Sequence, residues 1–202
     1  MTEQFILYVE GPRDREILSI FAKRESRELS KGVNASAIIL GGRQPLRARD
    51  HFKLKIRKHE SIRALCILDR DDPVEICPDS ETGLEFFVWR RRHIESYLLV
   101  PRALAFALAS RETSHELEKV IKREIPSNLE DEDFETLDAK RLLGVKGPIA
   151  RVIGKKPDLG RIARNIRTEE LHPDVVGVLE KIRLGLNISK VDVIHRGEFK
   201  KN

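Results

Sequence analysis

Cysteine, tryptophan and tyrosine are scarce here: two, one and two in 202 residues. The two cysteines, Cys66 in an apolar run and Cys77 in a polar stretch, make neither a metal-binding pair nor a disulfide framework, which points to a reducing cytoplasm. So few tryptophans and tyrosines give little sign of a stacking platform for single-stranded nucleic acid. No apolar run approaches the roughly 18 residues of a membrane span, and the first residues enter a strand pattern without a signal peptide, so no membrane is expected. A Gly-x-x-x-x-Gly-Lys-Ser/Thr run is also missing. Gly147 to Lys155 has glycines and a lysine, but neither the spacing nor the hydroxyl of a phosphate loop.

Charge is abundant. Charged residues make up 35% of the chain, and 38 Lys and Arg against 33 Asp and Glu give a formal net charge of +5. That balance favours a polyanionic partner.

The most informative stretch is Leu65-Cys66-Ile67-Leu68-Asp69-Arg70-Asp71-Asp72, a continuous apolar run that ends in carboxylates before Pro73. The run has the pattern of a buried parallel strand. Acids at i and i+2 point to the same side of an extended chain. The carboxyl end of such a strand is where ligands of open α/β sheets bind. Asp69 and Asp71 therefore suit a hard cation such as Mg²⁺; the other reading is an Asp-rich turn after a core strand.

Phe5 to Val9 reads as a first strand closed by Glu10, followed by a helix from Pro12 to about Leu29 that Lys31-Gly32 closes. Ala35 to Leu40 is a second strand, Gly41-Gly42-Arg43 a flexible loop, and Pro45 to His59 a basic helix leading to the Asp69 strand. The polar stretch 72–82 is a mobile loop or lid, and Leu84 to Trp89 is a fourth strand. This order predicts an α/β fold with a doubly wound parallel sheet over residues 1–100. Residues 101–202 read as a helical extension packed on it. Its helices are Pro101–Ser110, Ser114–Ile125, Pro148–Val152, Asp158–Asn165 and Pro173–Leu184, with an acidic loop or frayed helix over Leu129–Asp138 and a short strand at Lys190–Ile194.

Glu10 closes an apolar strand, where a carboxylate has little packing reason to stand. Asp14 lies one turn into the next helix, either converging on Glu10 or serving as a favourable charge at a helix N-terminus. Four acids from two strand ends suit two divalent ions about 3.5–4 Å apart, a pair that activates water and stabilises the leaving oxygen in an in-line phosphoryl displacement. Carboxylates are the right donors because Mg²⁺ and Mn²⁺ are hard ions.

Val9-Glu10-Gly11-Pro12-Arg13-Asp14 followed by Leu68-Asp69-Arg70-Asp71 resembles the topoisomerase–primase (TOPRIM) domain, marked by a strand-terminal Glu-Gly and a later Asp-x-Asp. Arg92-His93-Ile94-Glu95-Ser96-Tyr97-Leu98-Leu99-Val100-Pro101, and the later pairing of Gly154-Lys155 with Leu171-His172-Pro173, are similar to segments of OLD (overcoming lysogenization defect) nuclease domains. The resemblance spans about residues 4–184. It implies a Rossmann-like TOPRIM fold with a mainly parallel four-stranded sheet, and metal ligation by Glu10, Asp14, Asp69 and Asp71. It further implies Glu95 as an acid near a second metal, although Glu95 could instead pair with a preceding arginine, and Lys155 as a cation near the scissile phosphate. Tyr97, Leu98 and Leu99 read as packing that fixes Glu95.

The resemblance therefore implies a metal-dependent endonuclease that cuts or nicks DNA with two Mg²⁺ or Mn²⁺ ions. The alternatives are a nuclease of structured RNA and a non-catalytic nucleic-acid-binding module, and mutually repelling acids disfavour the second. OLD-type relatives carry an ATPase domain before the nuclease domain. Its absence here leaves a nuclease-like half whose ATPase, if there is one, would be a separate chain. The expected docking surface for that chain is the helical part, around Ile149, Val152, Ile153, Leu159, Ile162, Val175, Val176, Leu179 and Ile182. For nucleic acid, Arg43, Arg47, Lys53, Arg57 and Lys58 on and before the basic helix, with Arg91 and Arg92 past the fourth strand, would hold backbone phosphates. The helix could equally be a solvated face.

Overall fold

The computed structural model describes residues 5–59, 61–70, 80–126 and 130–189. Asp71, Asp72, Cys77 and most of the expected 72–82 loop lie outside them, as does the expected strand at Lys190–Ile194.

Phe5–Val9 forms β1, and all five residues are buried, so both faces of the strand must be covered. Phe5, Leu7 and Val9 face one side with Ile17, Leu18 and Phe21, while Ile6 and Tyr8 face the other with Ala48 and Phe52. That alternation is the two-residue period of an extended chain. Each fully buried side chain of this kind contributes about 1.5–3 kcal/mol, enough to hold helices on both faces. Helices α1 (Pro12–Glu25), α2 (Arg27–Ser36) and α3 (Pro45–Ile56) connect β1, β2 (Ala37–Ile39) and β3 (Arg63–Leu68), and β4 (Leu84–Val88) follows. All four strands run parallel in the order β2-β1-β3-β4. The chain thus steps from β1 to one side and then returns to the other, and the switch point falls between the carboxyl ends of β1 and β3.

The expected first helix is in fact two. Ser26 breaks it in extended conformation, and its side chain accepts the Leu29 N–H at 2.9 Å to cap α2. Gly32 does not end a helix. It lies within α2, where an added Cβ would come within 2.5 Å of Leu186, so glycine is needed for close packing.

After β4 come a 3₁₀ turn (Ile94–Leu98), a shorter one between the last two helices (Thr168–Glu170), and seven helices among the described residues. These are α4 (Pro101–Leu108), α5 (Ser114–Glu124), α6 (Asp133–Thr136), α7 (Ala139–Leu142), α8 (Pro148–Ile153), α9 (Leu159–Asn165) and α10 (Pro173–Gly185). The one-turn helix α7 has no counterpart among the helices expected from sequence. The later helices share one continuous core with β1, β3 and α1. Arg24 of α1 also donates to the Ala163 and Arg164 carbonyls at 2.9 and 2.8 Å, closing the last turn of α9. Gly185 lets α10 lie close against the start of the central strand β1, since a Cβ there would stand 2.2 Å from the Phe5 ring. Ile149, Leu159, Ile162, Val175, Leu179 and Ile182, expected as part of a docking surface, are buried in this core; of that group Val176 is the one exposed. No helix among the described residues is long and apolar enough to cross a membrane.

Candidate active site

Glu10 follows β1 and Asp69 follows β3, so the two acids flank the switch point. The Asp69 backbone N–H donates to Glu10 Oε1 at 2.8 Å, bridging the crevice. The loop after β2 is drawn over the same place. Gly41 and Gly42, both at positive φ, donate their N–H groups to the Glu10 carbonyl at 2.9 Å each. Two successive residues in that region require glycine. The turn aims Arg43, whose guanidinium donates to the Asp69 carbonyl.

Asp14 is at the third position of α1, and its Oδ2 accepts the Gly11 N–H at 2.6 Å. It therefore serves the helix N-terminus while still facing the other acids. Burial, with the charge of Asp69 added and that of Glu95 behind it, pushes its carboxyl from 3.8 up to about 6, against the opposing pull of the Gly11 N–H and Lys140. Glu95 comes from the 3₁₀ turn. It is buried, and its pKa is raised by burial and by Asp69, with its own backbone N–H, Lys140 and Arg13 acting against the rise. Its Oε2 has no hydrogen-bond partner among the described residues, and neither does Nδ1 of the adjoining buried His93. Burial lowers the His93 pKa, and Lys140 adds to that effect.

Tyr97, Leu98 and Leu99 are buried, as expected of packing that holds Glu95. A polar clamp secures the same turn. The Tyr97 O–H donates to Asp174 Oδ2 at 2.7 Å, and Arg91 bonds Asp131 through Nε and Nη2 at 3.1 and 2.8 Å. His172 Nε2 lies 3.0 Å from both Asp131 oxygens, while its Nδ1 accepts the Asp174 N–H. The Leu171-His172-Pro173 segment thus braces the turn that carries Glu95.

The cation bonded to the Asp69 carboxylate is Lys140. Its Nζ donates to Asp69 Oδ2 at 2.7 Å. Burial alone would lower its pKa, but the Asp69 hydrogen bond and the charges of Asp69, Glu95 and Asp14 outweigh that and raise it. Lys140 rides on α7, which packs against the 3₁₀ turn. The sequence carried a usable signal for this helix, though not for the role of its lysine. Asp138 caps α7 by accepting the Arg141 N–H at 2.8 Å, and Ala139, Leu142 and Leu143 follow at helical spacing and are buried. Lys155, the lysine expected here, instead follows α8 and lines a hollow with Ser110 and Thr113.

The basic residues divide. Arg47 donates to the Leu40 carbonyl at 2.7 Å, Lys53 pairs with Glu81 at 3.1 Å, and Arg43 and Arg91 are engaged as described. Arg57 and Lys58 are exposed and Arg92 is half-buried.

Among the described residues no three His, Cys, Asp or Glu side chains are already gathered as an ion cage. The donor set nonetheless fits a hard dication. Asp14, Asp69 and Glu95 interact through their charges, Glu10 adjoins Asp69, and the buried Glu95 Oε2 lacks a partner among the described residues. No protein-family model matches this chain, and neither the curated proteins nor the solved structures include a match to it.

The strain among the acids has a measurable sign. A folded carboxyl raised to about 6 keeps its proton where the unfolded chain has lost its own. Its contribution therefore costs nothing below about pH 4, grows as pH rises towards 6, and reaches about 3 kcal/mol of destabilisation at neutral pH. Urea denaturation in EDTA across that range should show Asp14→Asn gaining stability over wild type as pH rises. A difference that stays constant with pH would remove this assignment.

Proposed function

We propose that this protein is a metal-dependent nuclease that hydrolyses or nicks phosphodiester bonds of DNA. The observation that carries the reading is the buried Glu95 Oε2, without a hydrogen-bond partner among the described residues, in a group of mutually repelling acids at the sheet's switch point. A structural role gives such acids no benefit, whereas hard-cation ligation does.

Glu10, Asp14, Asp69 and Glu95 would hold the metal, with Asp71 as the ligand expected from sequence. Divalent ions bound there would supply an activated water and neutralise charge on the leaving oxygen. Glu10 and Arg43 hold the end of β3 in place through the Asp69 backbone N–H and carbonyl. Lys140 offsets the charge of the acids and is poised to offset that of a phosphate. Arg57 and Lys58 present exposed charge for the backbone of the nucleic acid.

Incubation of supercoiled plasmid and of structured RNA with Mg²⁺, Mn²⁺ or EDTA tests the reading. Plasmid nicking in either metal and none in EDTA is the expected outcome. Cutting confined to RNA would move the substrate class, and nicking that persists in EDTA would end the metal mechanism. The expected basic helix ends at Ile56, and Arg57 and Lys58 stand in the turn that follows it; the Arg57→Ala, Lys58→Ala double variant should bind every duplex sequence more weakly. Its slope of log K against log salt should fall by about 2. An unchanged slope would make this end of α3 a solvated face.

A further inference from the structure

A hollow of about 400 Å³ lies where the end of α4 and the start of α5 meet the segment between α8 and α9, and it shares no lining residue with the acids above. Three cations line it, Lys155, Lys156 and Arg161, against one carboxylate, Asp158. That carboxylate is already committed. Its Oδ1 accepts the Arg161 N–H at 2.9 Å and its Oδ2 faces Arg164 at 3.8 Å, and with its charge counted in full the three cations still leave the lining net positive. Neither lysine, nor Arg161, forms an ion pair among the described residues.

Neutral donors are in place as well. The Ser110 and Thr113 hydroxyls lie 2.9 Å apart, and each accepts the other residue's backbone N–H, at 3.3 and 3.1 Å. Only one of the two hydroxyl protons is used in the bond between them, which leaves the other to donate outward. Gly154, at φ 69°, ends α8 in the left-handed conformation and turns the two lysines towards the hollow.

Two ammonium groups, a planar guanidinium and a hydroxyl match a tetrahedral dianion in charge and in donor number. The geometry points to a phosphate-binding hollow, separate from the acid cluster, that takes backbone phosphates of a nucleic acid or the phosphates of a free nucleotide. This goes beyond the nuclease reading and does not rest on it.

The test uses the full chain in EDTA, where no metal-dependent cutting occurs, so binding is read apart from catalysis. Pyrophosphate is titrated by NMR and calorimetry, and a duplex by fluorescence anisotropy over a salt series. The comparison is a variant carrying Lys155→Gln, Lys156→Gln and Arg161→Gln. Wild type should bind pyrophosphate with shifts at the Ser110, Thr113 and Gly154–Lys156 amides, and the variant should lose that binding. If the duplex supplies the phosphates, the variant should also bind it about tenfold more weakly, with the salt slope reduced by about 2–3. Loss of pyrophosphate binding with unchanged duplex binding assigns the hollow to a free nucleotide. If the triple variant misfolds, the wild-type amide shifts and a Lys156→Gln variant carry the test. No pyrophosphate shift at those amides, together with unchanged duplex affinity and slope, overturns the proposal.

Discussion

Replacing Asp69 or Asp71 with alanine is expected to lower metal-dependent plasmid nicking by about 10²- to 10⁴-fold while leaving duplex binding nearly intact. Losing one carboxylate ligand forfeits several kcal/mol of transition-state stabilisation, and about 1.4 kcal/mol is worth tenfold in rate. Asp69 is the more informative of the pair, because its side chain and backbone serve different partners. Its carboxylate meets Lys140, while its N–H and carbonyl meet Glu10 and Arg43. Asp69→Asn keeps the backbone contacts and the side-chain shape but removes the charge. A fall in rate for Asp69→Asn as large as for Asp69→Ala assigns the effect to charge and not to a displaced strand end. Normal nicking by either Asp69 variant would end the proposed site.

Lys140→Met is expected to have the next largest effect, and in two measurements that should move oppositely with metal. In EDTA it removes the cation paired with a buried Asp69 carboxylate. Breaking a buried pair from one side costs about 3–5 kcal/mol, and the half-exposed Lys140 side chain discounts this to about 1–3 kcal/mol. Divalent metal bound to the same acids would replace the missing charge, so the loss of stability should shrink when saturating Mg²⁺ is added. Nicking in Mg²⁺ should nevertheless fall by about 10²-fold, the scale of removing one positioned donor. Urea denaturation with and without Mg²⁺ reads the first effect, and initial nicking rates read the second. Equal stability of variant and wild type in EDTA would show that the ion pair carries no weight. Wild-type nicking by the variant would place Lys140 outside the chemistry.

The sheet was legible in the chain because its signals are local. Continuous apolar runs such as Phe5–Val9 and Leu65–Leu68 can be read without neighbours, and Pro12, Pro45, Pro101, Pro148 and Pro173 each mark a helix start. The acids at the ends of β1 and β3 could be singled out for the same reason, since a carboxylate closing an apolar strand is conspicuous in one dimension. Where the first helix divides was also written locally, in Ser26 as a cap, but a longer amphipathic run concealed it.

Which cation meets those acids was decided by tertiary structure alone. Lys140 and Asp69 are 71 residues apart, and one packed turn against the segment carrying Glu95 brings them to 2.7 Å. Nothing in the spacing of Lys140, Lys155 or Lys156 distinguishes them, because a point charge leaves no periodic trace in sequence. Likewise, Gly32 reads as a helix end until Leu186 is seen to fill the space its missing side chain leaves. Apolar periodicity reports what a residue does to its own element. Charge and close contact depend on which elements the shared core brings together, and that is determined only when the chain folds.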